Sequence, residues 1–181
     1  MIGIKKILRK FNSKGIVIAE GDTNTVLGAS LATIKTGWLF SHVEAGLRSF
    51  NRAMPEEINR IVADAIANIH FAPSINAVLN LLYEGVTPWR IHLTGNTIVD
   101  VVYRILPRIR EYGEQILEKL GVETSFGLVT IHRAENVDNP IRLKKILLAL
   151  KEVSRECVNL VFPIHPRTRR RMLEYGLWGL L

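Results

Sequence analysis

The carboxylates of Asp22 and Glu44 are the side chains of this 181-residue chain whose sequence positions best suit chemistry. The segment Gly21-Asp22-Thr23 follows one short apolar run, and His42–Arg48, which contains Glu44, follows another. Each pattern predicts a loop that leaves a buried strand. Ligands of an open parallel sheet bind outside the carboxyl ends of its strands, so we expect both carboxylates to face one crevice. Carboxylates in such a position are suited to general acid/base catalysis.

Both carboxylates also have a structural interpretation. Asp22 is positioned to cap the helix that follows it. Glu44 requires a partner if it is buried, because an unpaired buried charge is costly, and His42 or Arg48 is close enough in sequence to supply one. His42 itself fits a structural role and a catalytic role equally well.

A third acidic site is formed by Glu56 and Glu57, which follow Pro55. The proline predicts the first turn of a helix. Carboxylates in that turn offset the helix dipole by about 0.3–1 kcal/mol. One of the two glutamates is therefore expected to have this structural role only.

Strands and helices alternate in the first half of the chain. Helices are predicted after the capping residues Thr23 or Asn24 and Ser74, and they end near Gly37 and Gly85. This alternation is typical of an α/β protein with a parallel sheet and right-handed crossovers. The strands are predicted at 15–20, 37–43, 69–72 and 91–93. The helix after Pro55 is expected to turn one apolar face into the core, consisting of Ile58, Ile61, Val62, Ala65 and Ile66.

The stretch 107–121 is helical in pattern, rich in charge and interrupted by Pro107 and Gly113. We predict that it is a hinge between two domains, 1–106 and 122–181. The second domain is predicted to contain strands at 126–131 and 160–164 and a helix that opens at Asn139-Pro140.

The composition and charge of the chain restrict the kinds of molecule that it is expected to bind. The chain is 48% hydrophobic, enough for a core, and its net charge is +7. Such a charge suits nucleic acid, a membrane surface or a small anion. No nucleic-acid motif is present, no apolar run approaches the roughly 20 residues of a membrane span, and the N-terminus lacks the apolar stretch of a signal peptide. The predicted protein is cytoplasmic and binds neither nucleic acid nor membrane.

No cofactor or metal is expected. Cys157 is the lone cysteine, and the histidines show neither HExxH nor close His-Cys spacing. The glycine patterns of NAD-binding and P-loop proteins are absent from the sequence. Backbone amides at the turn Gly95-Asn96-Thr97 suit a phosphate, although a Gly-Asn turn is often only a turn.

Taken together, six segments resemble the motifs of the UDP-N-acetylglucosamine 2-epimerase family. One short motif would be weak support, but all six occur in the family's order. The segments are Gly21-Asp22-Thr23, His42–Arg48, Pro55–Arg60, Thr94–Asp100, Thr130–Asn136 and Pro163–Pro166.

The resemblance implies two Rossmann-like domains of glycosyltransferase-B-like architecture, with the active site in the crevice between them. It implies interconversion of UDP-N-acetylglucosamine and UDP-N-acetylmannosamine. UDP is eliminated to leave 2-acetamidoglucal, and it adds back while a proton reaches the opposite face of C2. This route needs acid/base groups on both sides of the sugar and cations around the diphosphate. By resemblance, the acid/base positions are Asp22, Glu44, Glu56 and His132.

The resemblance also implies a UDP-sugar substrate and, in full-length members, a homodimer. His132 and His165 each follow a predicted strand of the second domain, where they would face the crevice. His165 is alternatively a loop histidine braced by prolines. The arginine-rich run 167–171 fits a solvated face or a source of positive potential for UDP. The substrate-binding positions are Thr23, His42, Arg48, Gly95, Asn96, Arg133, Glu135, Asn136 and His165.

The chain corresponds to about the middle half of a family member. It contains no match to the family's early GTRPE loop or its late serine-glycine-glycine stretch, so we expect truncation at both ends, incomplete domains and impaired activity. A catalytic group held 1 Å out of place can cost roughly 100-fold in rate. The alternatives are a hydrolysing epimerase that releases UDP and N-acetylmannosamine, and a non-catalytic remnant or one part of a split enzyme with a missing-half partner.

Overall fold

The computed structural model describes residues 1–122 and 125–181, and the chain divides into two compact units, Met1–Val102 and Tyr103–Leu181. Strands and helices alternate in the first unit, as the sequence predicts. Its elements are α1 (Ile2–Leu8), β1 (Ile16–Glu20), α2 (Asn24–Ile34), β2 (Leu39–Val43), α3 (Pro55–Ile66), β3 (Ile69–Ala72), α4 (Ile75–Tyr83), a 3₁₀ turn (Pro88–Arg90) and β4 (Ile91–Leu93).

The four strands form one parallel sheet in the order β1-β2-β3-β4. In its register, Ala19 lies opposite His42 and His42 lies opposite His70. The carboxyl ends of β1 and β2 are therefore adjacent, at the edge where the predicted site residues leave the sheet. The predicted parallel α/β sheet is confirmed.

The core of the first unit lies between one face of the sheet and the helices. Phe40, fully buried, packs with Val26 of α2 and with Ala63 and Ala67. A second cluster joins β3 to α4 through Ala72, Ala77 and Leu81, together with Ala45. On the other face of the sheet, Ile18 is 62% exposed and Leu39 is 52% exposed.

The buried face of α3 differs from the predicted one. Glu57, Asn59, Ala63 and Asp64 are buried, whereas Ile58 is 41% exposed. The apolar pattern gave the wrong face because the buried polar side chains have hydrogen-bond partners in the loops at the edge of the sheet, which offsets the cost of burying them. Of the residues predicted to face inward, Ile61, Val62 and Ile66 are half-buried, and Ile58 and Ala65 are exposed.

The long helix α5 (Thr97–Lys119) runs for 23 residues with Pro107 inside it. The predicted interruption at Pro107 and Gly113 is therefore wrong. Proline removes one backbone hydrogen bond and glycine costs about 1 kcal/mol relative to alanine, and the helical pattern on either side continues through both. The hinge at 107–121 and the domain limits 1–106 and 122–181 stay predictions.

The second unit contains two short strands, β5 (Gly127–Leu128) and β6 (Leu160–Val161), which pair in parallel. Both strands are shorter than predicted. The helix predicted at Asn139-Pro140 is confirmed, and the Asn139 side chain accepts hydrogen bonds from two amides of its first turn. The helices are α6 (Ala134–Val137), α7 (Pro140–Glu156) and α8 (Pro166–Glu174), and their core consists of Val137, Leu143, Leu147, Met172 and Leu177.

Within the described ranges, no helix combines the length and the apolar character needed to cross a membrane.

Candidate active site

The loop after β1 presents the carboxylate of Asp22. Gly21 turns the chain with φ +86°, and its amide donates to the Val43 carbonyl at 3.2 Å. Thr23 caps α2 by accepting from the Val26 amide at 3.4 Å. Asp22 is therefore not the helix cap; its carboxylate lies 2.5 Å from Arg60 and is one-third exposed (33%).

The turn after β2 presents Glu44 from a strained backbone. Glu44 has φ 66°, a left-handed conformation that is uncommon for residues other than glycine and costs on the order of 1–3 kcal/mol. Its Oε1 accepts from Asn96 Nδ2 at 3.2 Å. The partner of Glu44 is thus Asn96 rather than His42 or Arg48. A Cβ placed on Gly21 would lie 4.0 Å from Glu44 Oε2, so this carboxylate stands beside the Asp22 loop.

Asn96 has a second structural task. Its Oδ1 accepts from the Ile98 amide at 2.9 Å, which caps the start of α5. Gly95 before it is exposed and has φ +77°. Phosphate binding at this turn stays a prediction.

His42, near the end of β2, is fully buried and connects Asp64 of α3 to the loop that carries Asp22. Its Nδ1 lies 2.6 Å from Asp64 Oδ1, and its Nε2 lies 2.8 Å from the Gly21 carbonyl oxygen. A carboxylate and a carbonyl are both acceptors, so the ring satisfies both contacts only when both of its nitrogens carry a proton. The geometry therefore favours an imidazolium at His42 paired with an ionised Asp64.

The pKa directions of this pair agree with that geometry. Burial alone lowers the pKa of His42, but the hydrogen bond and negative charge of Asp64 and the bond to the Gly21 carbonyl outweigh it, and the pKa is raised. Burial alone raises the pKa of Asp64, yet the hydrogen bond and charge of His42, the charge of Arg48 and the Gly46 amide together lower it.

Arg48 extends the same network. Its Nη1 lies 2.8 Å from Asp64 Oδ2, and its Nε and Nη2 donate to the two oxygens of Glu84 at 2.7 Å and 2.5 Å. Its side chain is only 1% exposed. His42 and Arg48, which we expected to contact substrate, are thus both buried and bound to protein groups; a substrate-binding role for either stays a prediction.

Glu56 and Glu57 have opposite surroundings. The Glu57 carboxylate is buried and accepts from the Ser49 amide at 2.9 Å, the Phe50 amide at 2.9 Å and Arg60 at 3.0 Å. Burial raises the pKa of Glu57, but these donors more than offset that effect and the pKa is lowered. Glu56 is exposed. The structural glutamate is therefore Glu57, and chemistry by Glu56 stays a prediction.

Two acidic residues at this edge escaped the sequence reasoning. Glu20 ends β1, and its Oε1 accepts from the Thr97 hydroxyl at 2.8 Å. Its position directly after an apolar run is the signal that pointed to Asp22, so it could have been found. Asp64 had no such signal, because its partners lie 18 and 22 residues away in the chain.

In the second unit, the structure brings His132 and His165 together, with ring centroids 5.7 Å apart. Both side chains are exposed. His165 Nδ1 accepts from the Arg167 amide at 3.1 Å and so caps α8. Nearby, Arg133 lies 4.0 Å from Glu135, and Asn136 is half-buried in α6.

In the parts of the chain that the structure describes, no group of three or more His, Cys, Asp or Glu side chains is arranged to hold a metal ion.

The sequence profile of the family described as UDP-N-acetylglucosamine 2-epimerase matches residues 1–177. A UDP-N-acetylglucosamine 2-epimerase of Methanococcus maripaludis is 42% identical over 181 residues, covering 98% of this chain and 49% of that protein. A UDP-2,3-diacetamido-2,3-dideoxy-D-glucuronate 2-epimerase of Pseudomonas aeruginosa is 39% identical over 163 residues, covering 89% of this chain and 45% of that protein. The chain spans about half the length of the curated relatives it matches.

Solved structures are similar over the same extent. The UDP-GlcNAc 2-epimerase of Methanocaldococcus jannaschii, crystallised with UDP-GlcNAc and UDP, gives a TM-score of 0.87 at 43% identity, covering 98% of this chain and 49% of that chain. The Neisseria meningitidis enzyme bound to UDP-GlcNAc gives 0.84 at 29% identity, covering 96% and 49%. These similarities confirm the predicted glycosyltransferase-B-like class. Because the family profile extends over nearly all of its residues, this chain belongs to the UDP-N-acetylglucosamine 2-epimerase family.

Proposed function

We propose that this chain acts in the interconversion of UDP-N-acetylglucosamine and UDP-N-acetylmannosamine. The observation that carries the proposal is the placement of Asp22 and Glu44 just after the ends of adjacent parallel strands, where His42 of β2 also contacts the Gly21 carbonyl of the Asp22 loop. The strained backbone of Glu44 supports it, since strain of this kind is concentrated at functional sites. Family membership supplies the reaction class.

Carboxylates suit the proposed route. A basic group removes the proton from C2 while the bond between C1 and the UDP oxygen breaks, which leaves 2-acetamidoglucal and UDP. The UDP oxygen then adds to C1, and an acid delivers a proton to the other face of C2. Asp22, Glu44 and Glu56 supply the groups in the first unit, and we assign His132 of the second unit to the same acid/base set.

The proposed substrate is a UDP-sugar with an acetamido group at C2. Two of the similar solved structures contain UDP-GlcNAc, which supports this sugar. The similarity to the Pseudomonas enzyme, whose name specifies a diacetamido uronate, makes the groups at C3 and C6 the points on which specificity has to be measured.

The substrate-binding set is proposed on the resemblance alone. The closeness of His132 and His165 supports a shared task for the loops that follow β5 and β6. A homodimer and a cytoplasmic location stay predictions. The proposed contacts with the UDP-sugar are Thr23, Gly95, Asn96, Arg133, Glu135, Asn136 and His165.

Proton NMR in deuterated water tests the reaction directly. The purified 181-residue chain is incubated with UDP-N-acetylglucosamine, and deuterium at C2 is followed together with signals of the mannose configuration. We expect deuteration at C2, slower than with the M. jannaschii enzyme, because the chain spans about half that length. Glu44→Gln should slow the exchange by about 100-fold or more, the usual contribution of a general acid or base.

The control is Glu152→Gln, which makes the same change at an exposed position of α7 and should leave the exchange rate unchanged. Free UDP and free N-acetylmannosamine in place of the UDP-linked product would indicate the hydrolysing reaction. A folded sample that exchanges no C2 proton would overturn the proposal in favour of the non-catalytic alternative.

A further inference from the structure

Asp64 is a buried carboxylate in the last turn of α3, and the proposed chemistry does not use it. Its side chain is 1% exposed, yet it has three donors: His42 Nδ1 at 2.6 Å, the Gly46 amide at 2.9 Å and Arg48 Nη1 at 2.8 Å. A carboxylate this deep in a protein is stable only when its oxygens are paired in this way. The three donors all come from the loop that follows β2 or from the end of β2 itself.

These contacts hold both ends of the turn that carries Glu44. His42 lies two residues before Glu44 and Gly46 lies two residues after it, and each is bound to a different oxygen of Asp64. A left-handed backbone at a non-glycine residue persists only where its surroundings fix it. Asp64 provides that constraint from a rigid helix.

The same carboxylate reaches the Asp22 loop through one intermediate side chain. The imidazolium of His42 donates from Nε2 to the Gly21 carbonyl, and Gly21 directly precedes Asp22. A neutral ring facing an ionised Asp64 would leave either Asp64 or Gly21 without its donor. With Asp64 ionised, the bridge to the Asp22 loop is therefore complete only when His42 is the imidazolium.

We propose that Asp64 is a positioning residue, which through the His42 imidazolium sets the Asp22 loop and the Glu44 turn in the geometry required for proton transfer at C2. This inference rests on the proposed function for its kinetic part, and its structural part stands by itself. If Asp64 had only a structural role, that role would be to neutralise Arg48. Arg48 is already paired with Glu84, so this role alone does not account for the contacts of Asp64.

The first test uses the ring nitrogens of His42 in the full 181-residue chain. Long-range nitrogen-proton correlation NMR distinguishes an imidazolium from a neutral ring. We expect His42 to carry protons on both nitrogens at pH 6, and Asp64→Asn to leave it with one. The amide signals of Gly21, Asp22, Glu44 and Gly46 should move in Asp64→Asn.

Glu84→Gln is the matched control. It makes the same carboxylate-to-amide change in the same charge network, but Glu84 contacts neither the Asp22 loop nor the Glu44 turn directly. We expect it to leave the His42 ring state and the four amide signals as they are in the wild type. A neutral His42 in the folded wild type would overturn the inference, even if Asp64→Asn does not fold.

The second test separates positioning from binding. Because a displacement of about 1 Å at a catalytic group can cost roughly 100-fold in rate, Asp64→Asn should lower the kcat of C2 exchange by about that factor and leave KM close to the wild-type value. A folded Asp64→Asn with wild-type kcat would overturn the inference. If the wild type shows no exchange, the proposed function fails, and the ring and amide signals still decide whether Asp64 sets the two loops.

Discussion

Glu56 and Glu57 show how much the role of a residue depends on where its side chain points. The Glu57 carboxylate receives two backbone amides, the Ser49 hydroxyl and Arg60, all between 2.9 and 3.0 Å. These bonds fix the loop before α3 to the helix itself. Glu56 extends from the same turn into solvent, where a carboxylate is available to a substrate.

Substitution of Glu57 should therefore lower the stability of the chain more than substitution of Glu56. Glu57→Gln removes the charge and leaves part of the buried donor set unsatisfied, so the free energy of unfolding should fall by about 1–3 kcal/mol. Glu56→Gln, at an exposed position, should change it by less than about 0.5 kcal/mol. Urea unfolding followed by circular dichroism measures both variants. Equal effects would show that Glu57 does not hold the loop.

The His42–Asp64 pair predicts how stability varies with pH. The pKa of His42 is raised above its ordinary value of 6.5 in the folded chain, so its contribution is complete below pH 6.5 and is lost as pH rises through the folded pKa. The pKa of Asp64 is lowered from 3.8, so its contribution is present above that value and is lost as pH falls through the folded pKa.

Comparison with His42→Gln isolates this effect from the other titrating groups. The stability difference between wild type and His42→Gln, obtained from urea unfolding at intervals between pH 5 and pH 9, should be largest near pH 6 and should shrink as pH rises. A difference that is constant over this range would mean that His42 does not fold as the imidazolium.

At the residue scale, sequence reasoning found Asp22 and Glu44 and missed both Glu20 and Asp64. Asp22 and Glu44 could be predicted because a carboxylate after an apolar run is visible locally. Asp64 could not, because its function depends on contacts with Gly46 and His42, which are 18 and 22 residues away. The structural bond of Glu57 was equally hidden, since its donors lie in a loop whose path depends on the fold.

Among the elements, the turn between β2 and α3 is closely packed against α4. Gly46 has φ +81°. A Cβ added to Gly46 would clash with the Ala77 carbonyl oxygen. It would lie 2.8 Å from the Ala77 carbonyl carbon and 2.9 Å from Leu81 Cγ. The Glu44 turn thus passes directly over α4. Asn80 of α4 also donates to the Gly46 carbonyl at 2.9 Å.

Gly46→Ala and Gly85→Ala form a matched pair. Both glycines have positive φ, which costs alanine about 1–2 kcal/mol, but a Cβ at Gly85 would meet nothing within 4 Å. Gly46→Ala should lower the free energy of unfolding by about 2–5 kcal/mol, because overpacking adds about 1–3 kcal/mol to the backbone effect. Gly85→Ala should show the backbone effect only. Equal losses in urea unfolding would contradict the close packing of the turn on α4.

The order and type of the helices and strands could be predicted more completely than which face of each helix is buried. Periodicity and caps located the helices α2, α4 and α7, since Thr23, Ser74 and Asn139 accept hydrogen bonds from the first turns as expected. The face of α3 was misjudged because hydrophobic patterning assumes that polar residues point outward. That assumption fails where a helix serves to hold loops at a site.

At the scale of the whole chain, the net charge of +7 is less concentrated than the sequence suggests. The arginine-rich run at 167–171 is about half neutralised, because its four arginines lie beside two carboxylates, Asp138 and Glu174. Arg167 and Arg171 pair with Asp138, and Arg170 lies 3.6 Å from Glu174. Arg169 instead stacks over Trp178, with its guanidinium carbon 5.6 Å from the ring centroid.

This local neutralisation predicts weak and unselective binding to nucleic acid. Duplex binding depends on several unpaired cations that displace counterions from the phosphates, and non-specific binding has a Kd of about 10⁻⁴–10⁻⁶ M at physiological salt. We expect the chain to bind a short duplex no more tightly than this range, with no preference for sequence. Fluorescence anisotropy titrations of two unrelated duplexes at low and physiological salt measure both properties. Nanomolar binding of one duplex would show that the excess charge of the chain forms a nucleic-acid surface, which the ion pairs of α8 argue against.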